Sequence, residues 1–272
     1  MKIIKSKTVS EGAGVSLKRI FGFNEVPQFD PFLLLDNFGS DNPDDYMAGF
    51  PWHPHRGIET VTYMLEGEVE HGDSLGNQGV IQSGDIQWMT AGSGIIHQEM
   101  PKRYDGMMRG FQLWVNLPAA FKMMPPRYRD VKRNSIPEVT LKNGAKVKII
   151  SGEVDGVKGP VKDIVVDIEY LDFKIPANAL LKHSFKQGFT GFAYIFEGEA
   201  VFGDQKIQSG HLILFDKGSE ISVSTQDTPV RFLLISGEPV DEPVAWRGPI
   251  VMNTNDELKT AFLEYENGTF IK

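Results

Sequence analysis

The sequence predicts an all-β protein: two β-sandwich or barrel domains of one kind in tandem, with a short helix near the C-terminal end. Three observations predict it. The 28 glycines and 16 prolines among 272 residues punctuate short β-branched and aromatic runs, the pattern of sandwiches and barrels rather than of alternating βα units. Tyr63-Met64-Leu65-Glu66-Gly67-Glu68 recurs as Tyr194-Ile195-Phe196-Glu197-Gly198-Glu199, and Gln82-Ser83-Gly84 as Gln208-Ser209-Gly210, at offsets of 131 and 126 residues. A repeat of that length is a domain, not a solenoid unit. One segment, near the C-terminus, carries a clear helical pattern.

In chain order, strands are expected at 59–65, 80–82, 86–89 and 110–116. The turns between them use Ser83-Gly84-Asp85 and Gly72-Asp73-Ser74-Leu75-Gly76-Asn77, where Gly supplies positive φ and Asp or Asn closes local hydrogen bonds. Pro118, Pro125-Pro126 and Pro137 mark residues 119–137 as a connector, since proline removes a ladder donor. Strands resume at 146–150, 164–173, 191–196, 212–215 and 230–235. The expected domains are therefore 1–118 and 138–272. Thr254-x-x-Glu257 is a capping box, Leu258, Ala261, Phe262 and Tyr265 form an apolar stripe, and Asn267-Gly268 offers a left-handed stop.

Composition removes several functions. With 36 acidic against 28 basic residues the formal charge is −8, which argues against direct nucleic-acid binding. The absence of cysteine excludes disulfide scaffolds, iron–sulfur clusters, thiolate metal sites and cysteine nucleophiles, so any metal is held by His and carboxylate. Residues Met1 to Lys7 have no apolar stretch of signal-peptide length, and runs such as Phe32-Leu33-Leu34-Leu35 are too short to span a bilayer; no membrane association and a cytoplasmic address are expected. Walker, Gly-x-Gly-x-x-Gly, Gly-x-Ser-x-Gly and His-Glu-x-x-His motifs are missing.

What remains is a histidine constellation. His53-Pro54-His55 places two imidazoles on one face of extended chain, a geometry Pro54 reinforces. With six histidines in the chain, about 0.13 such pairs are expected by chance. His97-Gln98-Glu99, after the corner Ala91-Gly92-Ser93-Gly94, repeats the spacing. Three imidazoles and a carboxylate leave coordination positions open and suit Fe(II), Mn, Co, Ni or Cu, with Zn also compatible. Glu59 competes with Glu99, because 53, 55, 57 and 59 share parity in a regular strand and only a bulge at Gly57 would break it. Val61, Tyr63 and Leu65 continue that face and are expected to wall an apolar pocket, with Thr60 and Thr62 pointing away. Trp52, Trp88 and Trp114 read as core or pocket lining. His71 is expected at an exposed hairpin tip, and His183 and His211 at surface or packing positions. Through the echo, His53, His55, His97 and Glu99 fall on Ser184, Lys186, Val223 and Thr225, so the second domain lacks a metal set.

His53-Pro54-His55-Arg56-Gly57-x-Glu59-Thr60-Val61-Thr62-Tyr63, together with His97-Gln98-Glu99-Met100-Pro101, resembles pirin, a family of the cupin superfamily. Gln112-Leu113-Trp114-Val115-Asn116-Leu117-Pro118, Leu171-Asp172-Phe173 and Gly248-Pro249-x-x-Met252-Asn253-Thr254 extend the resemblance over nearly the whole chain. The resemblance implies a bicupin whose N-terminal domain binds one metal, usually iron, through His53, His55, His97 and Glu99, with the C-terminal domain empty. It implies quercetin 2,3-dioxygenase activity on a flavonol-like substrate with O₂, Glu99 serving as base. The alternative it carries is a metal- or redox-responsive co-regulator acting through a protein partner. A monomer is expected.

Overall fold

The computed structural model describes residues 1–216 and 220–272. The chain forms two compact units, one from residues 7–133 and 240–272, the other from residues 1–6 and 134–239.

In the first unit a seven-stranded antiparallel sheet runs in the order Arg127–Val131, Ile86–Thr90, Ile58–Glu66, Met108–Asn116, Phe32–Ser40, Val15–Phe21, Lys7–Glu11. A second sheet has the order Phe50–His55, Ile95–Pro101, Glu68–Asp73, Gln78–Gln82. Ile58–Glu66 is buried on both faces over its first seven residues, so its sequence is a nearly continuous apolar and Thr run. Ile95–Pro101 instead alternates strictly, with Ile95, His97, Glu99 and Pro101 inward, the period-two pattern of a half-buried strand.

The second unit repeats the seven-strand order: Lys2–Lys5, His211–Leu214, Thr190–Phe202, Val230–Gly237, Ile168–Ile175, Lys146–Ser151, Glu138–Thr140. Its other strands also correspond. Leu180–Ser184 pairs with Glu220–Ser224, which meets the end of Thr190–Phe202, and that end pairs with Gln205–Gln208. A continuous apolar core of Ile149, Leu171, Phe173, Ala193, Ile213, Phe232 and Leu234 fills this unit.

Three expectations differ from what is seen. The units are not continuous halves at 1–118 and 138–272: the last 33 residues build on the first unit, and residues 1–6 on the second. The reason is long-range pairing, Lys2–Lys5 with His211–Leu214 and the Ala245–Arg247 and Ile250–Met252 hairpin beside Arg56. The connector 119–137 contains an edge strand, Arg127–Val131; its prolines flank the strand, Pro125 and Pro126 before it and Pro137 after it, where no ladder donor is needed. The strand expected at 164–173 begins at Ile168 and runs to Ile175.

The helix Asn255–Glu266 forms as its sequence requires. Thr254 Oγ1 accepts from the Glu257 amide at 3.2 Å and Glu257 Oε2 accepts from the Thr254 amide at 2.9 Å, a reciprocal capping box. Leu258 and Ala261 are buried against Ala245, Ile250, Met252 and Phe270, and Gly268, at φ +72°, takes the left-handed position that ends it. Among the described residues no helix is long and apolar enough to cross a membrane.

Candidate metal centre

His53 and His97 face each other in register on adjacent antiparallel strands, and His55 lies two residues on from His53. Facing residues share a side of the sheet. One nitrogen from each of His53, His55 and His97 lies within 4.8 Å of the others, and the ring centroids are 4.4 to 5.0 Å apart.

Backbone carbonyls set the tautomers of two of these rings. His53 Nδ1 lies 2.8 Å from the Pro51 carbonyl and His55 Nδ1 lies 3.0 Å from the Pro249 carbonyl, so each Nδ1–H donates and each Nε2 carries a lone pair. Those two Nε2 atoms approach to 3.1 Å. Neither ring nitrogen of buried His97 has a hydrogen-bond partner. Burial pushes all three imidazoles down, His55 to about 3, with the neighbouring histidines adding to the effect on His55 and His97. They are neutral and ready to ligate. Two nitrogens about 2.1 Å from one ion at right angles would lie about 3 Å apart, so facing lone pairs and an orphaned imidazole are a donor set that fits a metal.

Glu99 is buried on the same strand as His97, but its carboxylate lies outside the three-histidine cluster. Its Oε1 accepts from the Thr62 hydroxyl at 3.1 Å, and burial raises it to about 7 against the lowering effect of that bond. Glu59 is engaged elsewhere. Its Oε2 accepts from Trp88 Nε1 at 2.9 Å and its Oε1 from Thr90 Oγ1 at 2.5 Å. The shared parity of 53, 55, 57 and 59 fails at Gly57, where φ is +78° and a Cβ would sit 1.9 Å from the Val251 carbonyl; there the chain leaves one sheet for the other.

A cavity of about 840 Å³ opens beside His53, His55 and Glu99. Leu17, Leu34, Val69, Met108 and Trp114 give it apolar walls, and Phe23, Trp52 and Trp246 lie at exposed or half-exposed positions along it. Val61 and Tyr63 are buried but are not part of this lining. Thr62, expected to point away, lines the cavity with Gln112, Asp36 and Arg19. Trp88 is core, and Trp114 and Trp52 line the cavity, Trp52 while 53% exposed.

His71 is not at a hairpin tip. It is 7% exposed on Glu68–Asp73, opposite Glu99 in register and stacked on Tyr128 at 5.8 Å. The turn comes later because Asp73 accepts from the Leu75 and Asn77 amides and from Asn77 Nδ2. His183 and His211 are half-buried, and His183 lies 3.1 Å from Glu169. In the second unit Leu181, not Ser184, faces Val223, so the structural counterparts of His53 and His55 are Leu181 and His183. The echo misaligned this strand by three residues because its loop lengths differ.

Comparison with known proteins places this architecture. The pirin family model matches residues 14–115 and the pirin C-terminal cupin domain model matches residues 170–271. A pirin-like protein of Caulobacter vibrioides is 44% identical over 271 residues, 99% of this chain and 98% of its own. The chain belongs to the pirin family. Human pirin is 42% identical, with 97% of this chain and 91% of the relative aligned. The crystal structure of a quercetin 2,3-dioxygenase from Acinetobacter baumannii superposes with a TM-score of 0.91 at 32% identity, covering 99% of this pirin and 97% of that chain. The family models give the chain two cupin domains, and the histidine cluster lies within the N-terminal one.

Proposed function

We propose that this pirin binds one divalent metal, most readily Fe(II), through His53, His55, His97 and Glu99, and that it cleaves flavonol-like substrates with O₂ in the manner of a quercetin 2,3-dioxygenase. The observation that carries the reading is the set of three neutral imidazoles, with facing lone pairs and an unpartnered His97, of which His53 and His55 line a cavity of about 840 Å³. The solved quercetin 2,3-dioxygenase of closely similar fold supports the substrate class. Iron, Mn, Co, Ni, Cu and Zn all accept this N/O donor set, and sulfur-free sites with open positions suit O₂ chemistry.

A bound divalent ion there would supply Lewis-acid stabilisation of an ionised hydroxyl and a template for the two reactants. The residues of the chain divide the remaining work. The Pro51 and Pro249 carbonyls hold His53 and His55 in the ligating tautomer. Glu99, on the cavity wall beside the histidines, takes the proton of the substrate's 3-hydroxyl, for which it must loosen its hold on the ion. Phe23, Trp52, Trp114 and Trp246 hold a planar aromatic substrate and keep water out. Both atoms of O₂ end in the cleaved product and one ring carbon leaves as carbon monoxide.

Iron-loaded protein incubated aerobically with quercetin is expected to bleach the flavonol band and release carbon monoxide, with His97→Ala abolishing both. Turnover that survives His97→Ala, or no turnover by protein carrying stoichiometric iron, would overturn the proposal.

A further inference from the structure

A row of polar side chains crosses the large sheet of the N-terminal cupin domain. Arg19 faces Asp36, Asp36 faces Gln112, Gln112 faces Thr62, Thr62 faces Gln87 and Gln87 faces Asp130, each pair directly opposite on neighbouring strands. Facing positions share one side of a sheet, so the six lie on one side of it. Four of them line the cavity.

The second domain provides an internal control. Its strands follow the same order, and the echo sets Thr62 on Ala193. The corresponding row is Ile149, Leu171, Leu234, Ala193, Ile213 and Ile3, again joined pair by pair in register. Every one of these six is apolar, and five have no exposed surface. The shared fold therefore has no need of polar groups on this row. They occur in the domain that carries the histidine cluster.

Hydrogen-bond arithmetic shows what they serve. Thr62 Oγ1 lies 3.1 Å from Glu99 Oε1 and 2.7 Å from the Gln112 side-chain amide. A hydroxyl has one proton to give. When it is given to the Glu99 carboxylate, the Gln112 amide turns its NH₂ towards Thr62, an orientation indistinguishable by shape from its opposite. Gln112 then donates to Thr62 and Thr62 to Glu99, a chain in which each bond strengthens the next.

We propose that Thr62 and Gln112 are positioning residues for Glu99: together they fix one carboxylate oxygen and leave the other for the metal held by the histidines. This rests on the metal reading above. Outer partners of ligating carboxylates commonly contribute about 10- to 100-fold in metal affinity.

The test is a Co(II) titration of the chelator-stripped full chain, read as visible absorption bands, dissociation constant and stoichiometry, with thermal midpoint recorded alongside. Thr62→Val keeps the shape and loses the hydroxyl; it is expected to weaken Co(II) binding about 10- to 100-fold and shift the bands, while Thr62→Ser restores both. Gln112→Leu is expected to weaken binding in the same direction, and it decides the matter if Thr62→Val does not fold. Wild-type affinity and bands in a folded Thr62→Val or Gln112→Leu protein, with only the thermal midpoint lowered, would overturn the positioning role and leave the metal site intact. Failure of the metal reading looks different: wild-type protein then takes up no stoichiometric Co(II), and His97→Ala changes nothing.

Discussion

Replacing His55 by glutamine in the metal-free protein tests whether the imidazole cluster is as desolvated as its packing indicates. Burial, with His53 adding to it, lowers His55 from 6.5 to about 3. Near pH 5 the folded imidazole therefore stays neutral while the unfolded one is almost fully protonated. The unfolded chain binds the extra proton, so acid favours unfolding; this loss begins as pH falls through 6.5 and is complete near 3. Between about pH 7.5 and pH 5 it amounts to 2.303RT times the interval from 6.5 to 5, about 2 kcal/mol. Glutamine does not titrate. At pH 7.5 the variant is expected to be less stable by about 1 kcal/mol, the worth of the bond from Nδ1 to the Pro249 carbonyl; at pH 5 the gap should have moved by about 2 kcal/mol in the variant's favour. Other buried groups, including Glu99 at about 7 and Asp36 at about 6, titrate in both proteins and largely cancel in the difference. Urea unfolding at the two pH values with chelator present measures it. A gap that stays constant would mean that His55 takes up a proton inside the fold, and the case for a neutral ligand set would fail with it.

Gly57→Ala is expected to cost more than about 3 kcal/mol in urea unfolding, because it combines a positive φ with a contact of 1.9 Å to the Val251 carbonyl, whose amide is itself bonded to Arg56. Arg56→Lys should lower stability by about 2–4 kcal/mol and expose the C-terminal helix to proteolysis. The guanidinium donates to the Ser93 carbonyl at 2.6 Å, Glu264 at 2.6 Å and the Phe270 carbonyl at 2.9 Å, a fork that an ammonium cannot reproduce. Glu59→Gln should leave metal stoichiometry unchanged while lowering the thermal midpoint, whereas Glu99→Gln should weaken metal binding; metal analysis of both variants after dialysis separates the two carboxylates, and the reverse pattern would reassign the ligand.

The parts legible in the sequence are those set by short-range periodicity. Two pairs at i, i+2 marked the histidine site because extended chain places such residues on one side, and the capping box and stripe at 254–265 marked the helix. Other parts depend on contacts that leave no local trace. Pro249, whose carbonyl orients His55, and Glu264, which meets Arg56, lie some 200 residues from their partners. Parity separates the two faces of a strand but cannot say which of them meets a cavity when both are buried, as on Ile58–Glu66, so the inward position of Thr62 has no signal in the spacing. Glu59 against Glu99 could not be decided by spacing, since the answer lay in whether Gly57 kept the strand straight.

The two rows also explain why one fold carries a site in only one of its copies. A carboxylate buried beside three imidazoles needs a donor, and Thr62 with Gln112 is placed to supply one; in the other domain, which has no such carboxylate, the matching positions are apolar. In the C-terminal domain the counterparts of His53 and His97 are Leu181 and Val223, and the row facing inward is Ile149, Leu171, Leu234, Ala193 and Ile213. Histidines placed at 181 and 223 would still face an apolar row with no side-chain donor for a carboxylate. The counterpart of His55 there is His183, which lies 3.1 Å from Glu169. On the proposed metal reading, the strand-crossing row behind the carboxylate matters as much as the histidines themselves.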